Sequence, residues 1–309
     1  MKPRKPVRWL VALLAGTLLL GMADAQAARL YRWTNRQGVT EHGDQPPTAE
    51  AVPAGKVDVV HFRNPPGALV RLRLEYRNGR YQAWADNQLH GPAQVMLRFK
   101  HQHNVGAQPA LPASATLPAR RSVRVADIGA SDPLRAGDFE LLLDSLPGDP
   151  AAQAVDYDYR LPFDYARVRV DQGPGGSFSH RDPQNRHAVD FALETGTPIL
   201  AVRAGVVMQV ESDFDKAGLN HEKYGGRANF IRIVHDDGSM AVYAHLQPEG
   251  VQVRTGQRVR KGQRIGLSGN TGFSTAPHLH FVLQVNAGMR LQSIPFRMFG
   301  PLGELKFPK

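Results

Sequence analysis

The chain of 309 residues contains no cysteine. This absence excludes disulfide bonds, a lipid-modified N-terminal cysteine, a cysteine nucleophile and every thiolate metal ligand. A protein of this length can bury enough surface to form its cores without disulfides. Any metal site must therefore be built from histidine, aspartate or glutamate.

Long hydrophobic runs are also absent, apart from one apolar segment at residues 9–22. A basic stretch at residues 2–8 precedes it, and small residues at 23–27 offer two cleavage sites. Because the run is short for a membrane span, residues 1–27 predict a signal peptide, with an uncleaved anchor as the competing interpretation. We expect export to the periplasm, with secretion as the alternative, and no transmembrane span after cleavage.

Negative charge is in deficit, since 28 Asp and Glu face 38 Lys and Arg and the formal net charge is +10. A basic exported protein suits an anionic envelope polymer or a membrane surface. The chain has no motif that interleaves basic and aromatic residues, and export removes the usual partner. Nucleic acid is therefore not expected as a ligand.

Glycine and proline are frequent, with 30 and 23 residues, and they separate many short strand-like segments. This pattern favours an all-β chain. Residues 28–54 hold two such segments and a proline-containing linker, and they resemble a small N-terminal module that begins many exported proteobacterial proteins. The sequence does not indicate what this module does.

Residues 55–165 show the pattern of an accessory β domain. Apolar and polar side chains alternate over residues 70–76, as in a half-buried strand, and Asn78-Gly79 predicts a hairpin turn. Further strand candidates include residues 157–161. Several short strands without a helical period predict an immunoglobulin-like β-sandwich.

His101 and His103 have a spacing that two metal ligands on one strand would also have. They lie in a polar stretch without carboxylate neighbours in the sequence. A solvated turn is the interpretation we favour there.

From residue 166 the chain consists of short strands separated by glycine, without a long helix. We predict a mainly antiparallel β domain over residues 166–300 and a C-terminal tail over 301–309. Seven of the twelve histidines lie between positions 180 and 280. The chemistry is therefore expected in this C-terminal domain.

His278 and His280 are two residues apart in a predicted strand, so both side chains point to one face. Zinc in a hydrolytic site takes three protein ligands and keeps one position for water. The candidate ligands are His180, Asp190 and His280, a set that leaves net positive charge on the ion. His245 and His278 would then be free to move protons or to bind an oxyanion.

Asp190 has apolar neighbours on both sides in the sequence, so without a charged or hydrogen-bonding partner it would be a costly core carboxylate. His187 competes with His180 as the first ligand because it lies three residues before Asp190. In an extended strand that offset places His187 on the opposite face from Asp190, which favours His180.

The ordered motifs over residues 170–285 resemble those of the lysostaphin/LytM-type zinc metallopeptidases. A histidine pair two residues apart would be a weak signal alone, but the combination in this order is specific. The motifs are GGSFSH at 175–180, HAVDFA at 187–192, GTPILAVRAGVV at 196–207, YAHL at 243–246, GQRVRKGQRIG at 256–266 and SGNTGFSTAPHLHF at 268–281.

The resemblance implies that His180, Asp190 and His280 bind zinc and that His245 and His278 serve the reaction, with their division of roles open. It also implies an antiparallel sheet with a groove and hydrolysis of peptide bonds in peptidoglycan. The chain departs from many relatives at one point. Their first ligand lies four residues before the aspartate, where this chain has arginine, whereas His180 lies ten residues before it.

We therefore expect an exported zinc endopeptidase whose partner is the peptide part of peptidoglycan. One alternative is an envelope binding or activator protein without catalysis, and another is a protease of glycine-rich extracellular proteins. We further expect the insertion at 212–228 to form a wall of the groove. The accessory domain is expected either to dock substrate or to cover the groove, and an envelope regulatory protein is considered as a partner without a motif that identifies it.

Overall fold

The structure is a computed structural model that describes residues 67–165 and 168–308, together with the backbone of three earlier strands. The predicted signal peptide lies outside the described residues. The strands are Ala28–Thr34 (β1), Thr40–Gly43 (β2), Asp58–Phe62 (β3), Val70–Arg77 (β4), Arg80–Asn87 (β5), Ala93–His103 (β6), Val105–Gln108 (β7), Ala113–Leu117 (β8), Ser122–Ala130 (β9), Asp138–Pro147 (β10), Asp158–Arg160 (β11), Val170–Gln172 (β12), Val189–Ala192 (β13), Pro198–Leu200 (β14), Gly205–Glu211 (β15), Ala217–Gly218 (β16), Asn229–Val234 (β17), Met240–Val251 (β18), Arg258–Val259 (β19), Arg264–Ser268 (β20), Gly272–Phe273 (β21), His278–Asn286 (β22), Leu291–Ser293 (β23), Arg297–Gly300 (β24) and Gly303–Glu304 (β25).

The prediction of a nearly all-β chain is confirmed. One short helix, His221–Tyr224 (α1), lies within the 212–228 insertion. Among the described residues, no helix has the length and apolar character needed to cross a membrane.

The accessory region contains two sheets, with strand orders β2-β1-β3-β10-β6-β8 and β4-β5-β9-β7. Residues of both sheets share one apolar core, which includes Leu72, Ala83, Val95, Leu97 and Ile128. The alternation in the sequence is therefore that of strands with one buried face. The immunoglobulin-like assignment stays a prediction.

The hairpin at Asn78-Gly79 is confirmed. β4 and β5 pair in antiparallel register up to Arg77 opposite Arg80. Asn78 and Gly79 have φ angles of 51° and 77°, so both occupy the left-handed region that a two-residue turn between strands requires.

The prediction of a turn at His101 and His103 is wrong. β6 continues to His103 because it pairs with β10, where Asp138 stands opposite His103. Asp138 contacts His101 at 2.9 Å and His103 at 3.5 Å, and both histidine side chains are exposed. The spacing thus places two imidazoles on one solvated strand face beside a carboxylate from the neighbouring strand.

Residues 157–161 were predicted as a strand of the accessory sandwich, but β11 pairs with β24 in the C-terminal part of the chain. Tyr159 and Leu161 lie in the core of the C-terminal domain. The predicted tail is also part of that domain, because β25 pairs with β24, and Leu305 and Phe307 pack against the same core. Alternation of apolar and polar residues shows that a strand has one buried face. It does not show into which of the two cores that face packs.

The C-terminal domain is built on an antiparallel sheet with the strand order β12-β13-β22-β18-β17-β15-β19. One face of this sheet packs into the core through large side chains, among them Phe191, Ile231, Tyr243, Leu279 and Phe281. Since side chains alternate along a strand, the histidines of β22 point to the opposite face. We call this opposite face the site face.

The two regions share an apolar interface. Met208 and Met240 from the C-terminal sheet are almost fully buried in the core of the accessory domain. Backbone N–H of Met289 donates to Oε1 of Gln94 at 2.7 Å, so polar contacts border this interface. Because Met240 is opposite Gln284 in register, the contact lies well along β22 from the two histidines.

His235 is a buried histidine outside the site. Its Nδ1 donates to the carbonyl of Ala204 at 2.8 Å, and its side chain is 4% exposed. Burial lowers the pKa of His235 from 6.5 to about 4, with a further contribution from the charge of Arg203. The folded protein therefore holds His235 neutral at pH values where the unfolded chain binds a proton.

We predict that His235 makes the free energy of unfolding fall between pH 7 and pH 4, by about 3 kcal/mol if it acts alone. The stabilisation is complete above the unfolded pKa and is lost as the pH falls towards the folded pKa. Urea unfolding at several pH values should show a smaller loss for His235→Asn, which keeps a donor for the Ala204 carbonyl. His103→Asn, on an exposed strand face, is the control, and an unchanged pH dependence in His235→Asn would contradict the prediction.

Candidate metal centre

Asp190 and His280 are brought together by strand pairing. β13 and β22 are adjacent and antiparallel, and Asp190 stands directly opposite His280 in their register. His280 Nδ1 lies 2.9 Å from Asp190 Oδ1. Their neighbours Phe191 and Leu279 point into the core, which fixes both polar side chains on the site face.

His180 reaches the same carboxylate from a loop. Its Nε2 lies 3.2 Å from Asp190 Oδ1, and its side chain is fully buried. Its Nδ1 donates to the carbonyl of Gly173 at 2.9 Å, so Nε2 is the ring nitrogen that faces the site. One ligand atom each of His180, Asp190 and His280 lie within 4.8 Å of one another.

Electrostatics keep the carboxylate of Asp190 ionised. Burial acts to raise the pKa of Asp190, but hydrogen bonds and charge from His180 and His280 hold it well below its usual range. Burial opposes a charge on His180, yet the hydrogen bond to Asp190 raises the pKa of that imidazole overall. Gln172 Nε2 also donates to Asp190 Oδ2 at 3.1 Å and so orients the carboxylate.

The donor set fits a zinc ion. Two imidazole nitrogens and one carboxylate oxygen are ligands that zinc accepts in hydrolytic sites, where a fourth position stays open. The carbonyl of Gly173 and the amide of Gln172 supply the outer hydrogen bonds that orient metal ligands.

His245 and His278 lie beside this group. Their ring centroids are 4.5 Å apart, and the ring of His245 is 5.8 Å from that of His280. His278 Nε2 is 3.9 Å from Asp190 Oδ1. The structure therefore brings all five predicted site residues into one cluster.

The orientation of these two rings is set by backbone carbonyls. His245 Nδ1 donates to the carbonyl of Thr271 at 2.6 Å, and His278 Nδ1 donates to that of Ala276 at 2.8 Å. Burial, with the nearby His278 and His280, lowers the pKa of His245 to about 3. His245 is therefore neutral at pH 7, and its Nε2 carries a lone pair that can accept a hydrogen bond.

The backbone of His245 has a φ of 63°, a left-handed conformation that is uncommon for a residue other than glycine. The register of β18 against β20 shifts directly after this point, between Leu246 and Val251. Such conformations persist where surrounding structure holds them, and they occur often at functional sites. Here the turn of the backbone directs the imidazole to the carbonyl of Thr271.

The cluster lies in a cleft of about 670 Å³. Residues from the 171–185 loop line one wall, and the 212–228 insertion contributes His221, Gly225 and Gly226. The insertion therefore walls the cleft, as the sequence predicted. Among residues 67–165, all of which the structure describes, none lines the cleft.

Two aromatic rings bridge the walls of the cleft. Phe178 and Phe273 are stacked with centroids 5.4 Å apart, and the ring of His221 meets Phe273 edge-on at 5.3 Å. Sequence reasoning did not single out either phenylalanine, because their roles depend on the meeting of separate loops. Gln172 was missed for the same reason, since only the pairing of β12 with β13 places it opposite Asp190.

His187, the competitor for the first ligand position, is not part of the group. It lies in a turn before β13, so the strand geometry assumed in the sequence argument does not apply to it. Its backbone N–H donates to Ser293 Oγ at 3.1 Å, which holds the turn against β23. The exclusion of His187 thus follows from the turn and not from alternation along a strand.

Two imidazoles and a carboxylate at a cleft form the donor set of a metal-dependent hydrolase site. Residues 184–291 match the model of peptidase family M23. This match confirms the resemblance seen in the sequence. The match includes Asp190, His245, His278 and His280, whereas His180 precedes it by four residues. Residues 17–66 match a separate domain of unknown function, DUF4124.

Individual relatives agree with this assignment. The chain is 40% identical over 117 residues to the peptidoglycan DD-endopeptidase ShyA of Vibrio cholerae, covering 35% of this chain and 24% of the relative. It is 42% identical over 104 residues to the glycyl-glycine endopeptidase ALE-1 of Staphylococcus capitis, covering 33% and 25%. The chain thus spans only about a quarter of the length of these curated relatives.

Among solved structures, the catalytic domain of lysostaphin from Staphylococcus simulans is 34% identical, with 43% of this chain and 80% of that chain covered. The TM-score is 0.28, so this superposition carries no weight for the assignment.

We predict that the purified protein binds one zinc ion through this cluster. Asp190→Ala and His180→Ala should each lower the bound zinc to well below one equivalent, because each removes one of three ligands. His187→Ala is the matched control and should retain the metal. Zinc content after dialysis measures the effect, and full zinc retention by a folded His180→Ala protein would contradict the ligand assignment.

Proposed function

We propose that the protein is an exported zinc-dependent endopeptidase that hydrolyses the peptide cross-links of bacterial peptidoglycan. The observation that carries the proposal is the convergence of His180, Asp190 and His280 with His245 and His278 in one cleft. The printed names of relatives, a peptidoglycan DD-endopeptidase and a glycyl-glycine endopeptidase, support this class of substrate. Export rests on the basic and apolar N-terminal segment.

Three residues would hold the metal. They would bind it through His180 Nε2, Asp190 Oδ1 and His280 Nδ1, the atoms that already face one another. A bound zinc ion acidifies water and polarises a substrate carbonyl. Gln172 keeps the carboxylate of Asp190 in place through its own amide.

His245 and His278 supply the proton transfers. With each Nδ1 held by a backbone carbonyl, the Nε2 atoms are the ones available to a substrate. A neutral imidazole accepts the proton of the nucleophile and, once protonated, stabilises the oxyanion and protonates the leaving amine. Because the two rings are 4.5 Å apart, both can serve the same tetrahedral centre.

The cleft favours an extended peptide as substrate. Its floor is the site face of an antiparallel sheet, and its walls come from the 171–185 loop and the 212–228 insertion. The accessory domain packs against Met208 and Met240 and leaves the cleft lining to the C-terminal domain, in the part of the chain that the structure describes. An arrangement in which residues 67–165 cover the cluster therefore has no support.

Incubation with purified peptidoglycan tests the proposal. The wild-type protein should release new amine ends, and His280→Ala should release none above background, while His187→Ala keeps the activity. Mass spectrometry of the products then identifies the bond that is cut, including bonds between glycines. A zinc-loaded wild-type protein without hydrolytic activity would instead favour an envelope binding or activator protein.

We further predict that His245→Gln and His278→Gln each lower kcat by about 10²- to 10⁴-fold, the range for loss of a general acid or base. Both variants should keep the zinc, because neither removes a ligand. His103→Asn is the control for loss of a histidine far from the cleft. Zinc content and kcat are measured on the same preparations, and a variant with unchanged kcat would remove that histidine from the reaction.

A further inference from the structure

Arg232 lies on the site face of the C-terminal sheet. Its neighbours Ile231 and Ile233 are fully buried in the core, so Arg232 projects to the face that carries His278 and His280. In register, Arg232 is opposite Val242, which is opposite Val282 on β22. From strand spacing and rise, the Cα of Arg232 is roughly 12 Å from that of His280.

The guanidinium of Arg232 is held beside the wall of the cleft. Its Nη1 donates to Gln284 Oε1 at 2.7 Å. Gln284 Nε2 in turn donates to the carbonyl of Gln184 at 2.9 Å, and Gln184 lines the cleft. Because that second bond uses the amide nitrogen, the amide oxygen of Gln284 must face Arg232.

Among the residues that the structure describes, none supplies a counter-charge to Arg232. Within residues 67–165 and 168–308, no aspartate or glutamate forms an ion pair with it, and its buried Nε has no hydrogen-bond partner. Burial lowers the pKa of Arg232 only to about 10, so the group stays cationic at neutral pH. The buried Arg203 differs, because it contacts the carboxylates of Asp236 and Asp237.

An uncompensated guanidinium in a half-buried position is costly, since a buried charge is normally paired. A guanidinium is also the side chain best suited to bidentate binding of a carboxylate. The Gln284 contact uses one of its donors and holds the group in place. Because Nε is buried, a ligand would bond to the Nη atoms.

We propose that Arg232, which lies next to the cleft and outside its lining, is a carboxylate-binding subsite that anchors a free carboxylate of the substrate peptide. The inference rests on the proposed function and adds a recognition element to it. At roughly 3.3 Å per residue, the spacing from His280 corresponds to three or four residues of extended peptide. The anchored carboxylate would therefore lie a few residues from the bond that is cut.

Peptide binding tests the subsite independently of hydrolysis. Two fluorescent tetrapeptides, one with a C-terminal carboxylate and one with a carboxamide, are titrated by anisotropy against zinc-loaded protein in a His278→Gln background. The carboxylate peptide should bind about tenfold or more tightly than the amide when Arg232 is present, as for a hydrogen bond to a charged group.

Three substitutions of arginine sharpen this test. Arg232→Met keeps the apolar stem and should abolish the preference for the carboxylate, whereas Arg232→Lys keeps the charge and should retain part of it. Arg258→Met removes an exposed arginine of the same domain and should leave the preference unchanged. Thermal unfolding of each variant verifies that it is folded.

Equal binding of the two peptides to the protein with Arg232 would overturn the subsite, as would an undiminished preference in a folded Arg232→Met protein. The subsite and the enzymatic activity can fail separately. A carboxylate preference without hydrolysis by the wild-type protein supports the subsite and removes the proposed function. Hydrolysis without a carboxylate preference supports the proposed function and removes the subsite.

Discussion

The contact between Asp190 and His280 across the β13–β22 pair is the interaction on which the site depends. It requires the two strands to be adjacent, in register and oriented with Phe191 and Leu279 in the core. Once the carboxylate is fixed there, His180 closes the group from a loop, and the pKa of Asp190 stays low because both imidazoles hydrogen-bond to it. A shift by one residue would turn the carboxylate into the apolar core.

Charge compensation distinguishes the polar groups of the C-terminal domain. Asp190 is satisfied by imidazoles and an amide, and Arg203 by two carboxylates. Arg232 bonds to a neutral group, the amide of Gln284. Among the described residues its charge has no carboxylate beside it, and a substrate carboxylate would supply that missing charge.

The accessory domain contacts the sheet that carries this site. It packs on Met208 and Met240, which lie on the C-terminal sheet away from the histidines. The segment that connects the two regions then returns as β11 to pair with β24, so its side chains complete the C-terminal core. Removing that segment together with the accessory strands would expose core residues such as Tyr159 and Leu161.

The sequence by itself determined the all-β class and the hairpin at Asn78-Gly79, and its motif order singled out five residues that the fold brings into one cluster, because turn chemistry, alternation and motif order are local properties. It did not determine that β6 extends through His103, that β11 belongs to the C-terminal core, or that His187 lies in a turn. Only the tertiary structure decided these points, and with them the placement of Gln172, Phe178 and Arg232. Each depends on which strands and loops become neighbours, and residues far apart in sequence acquire a shared environment only when the chain has folded.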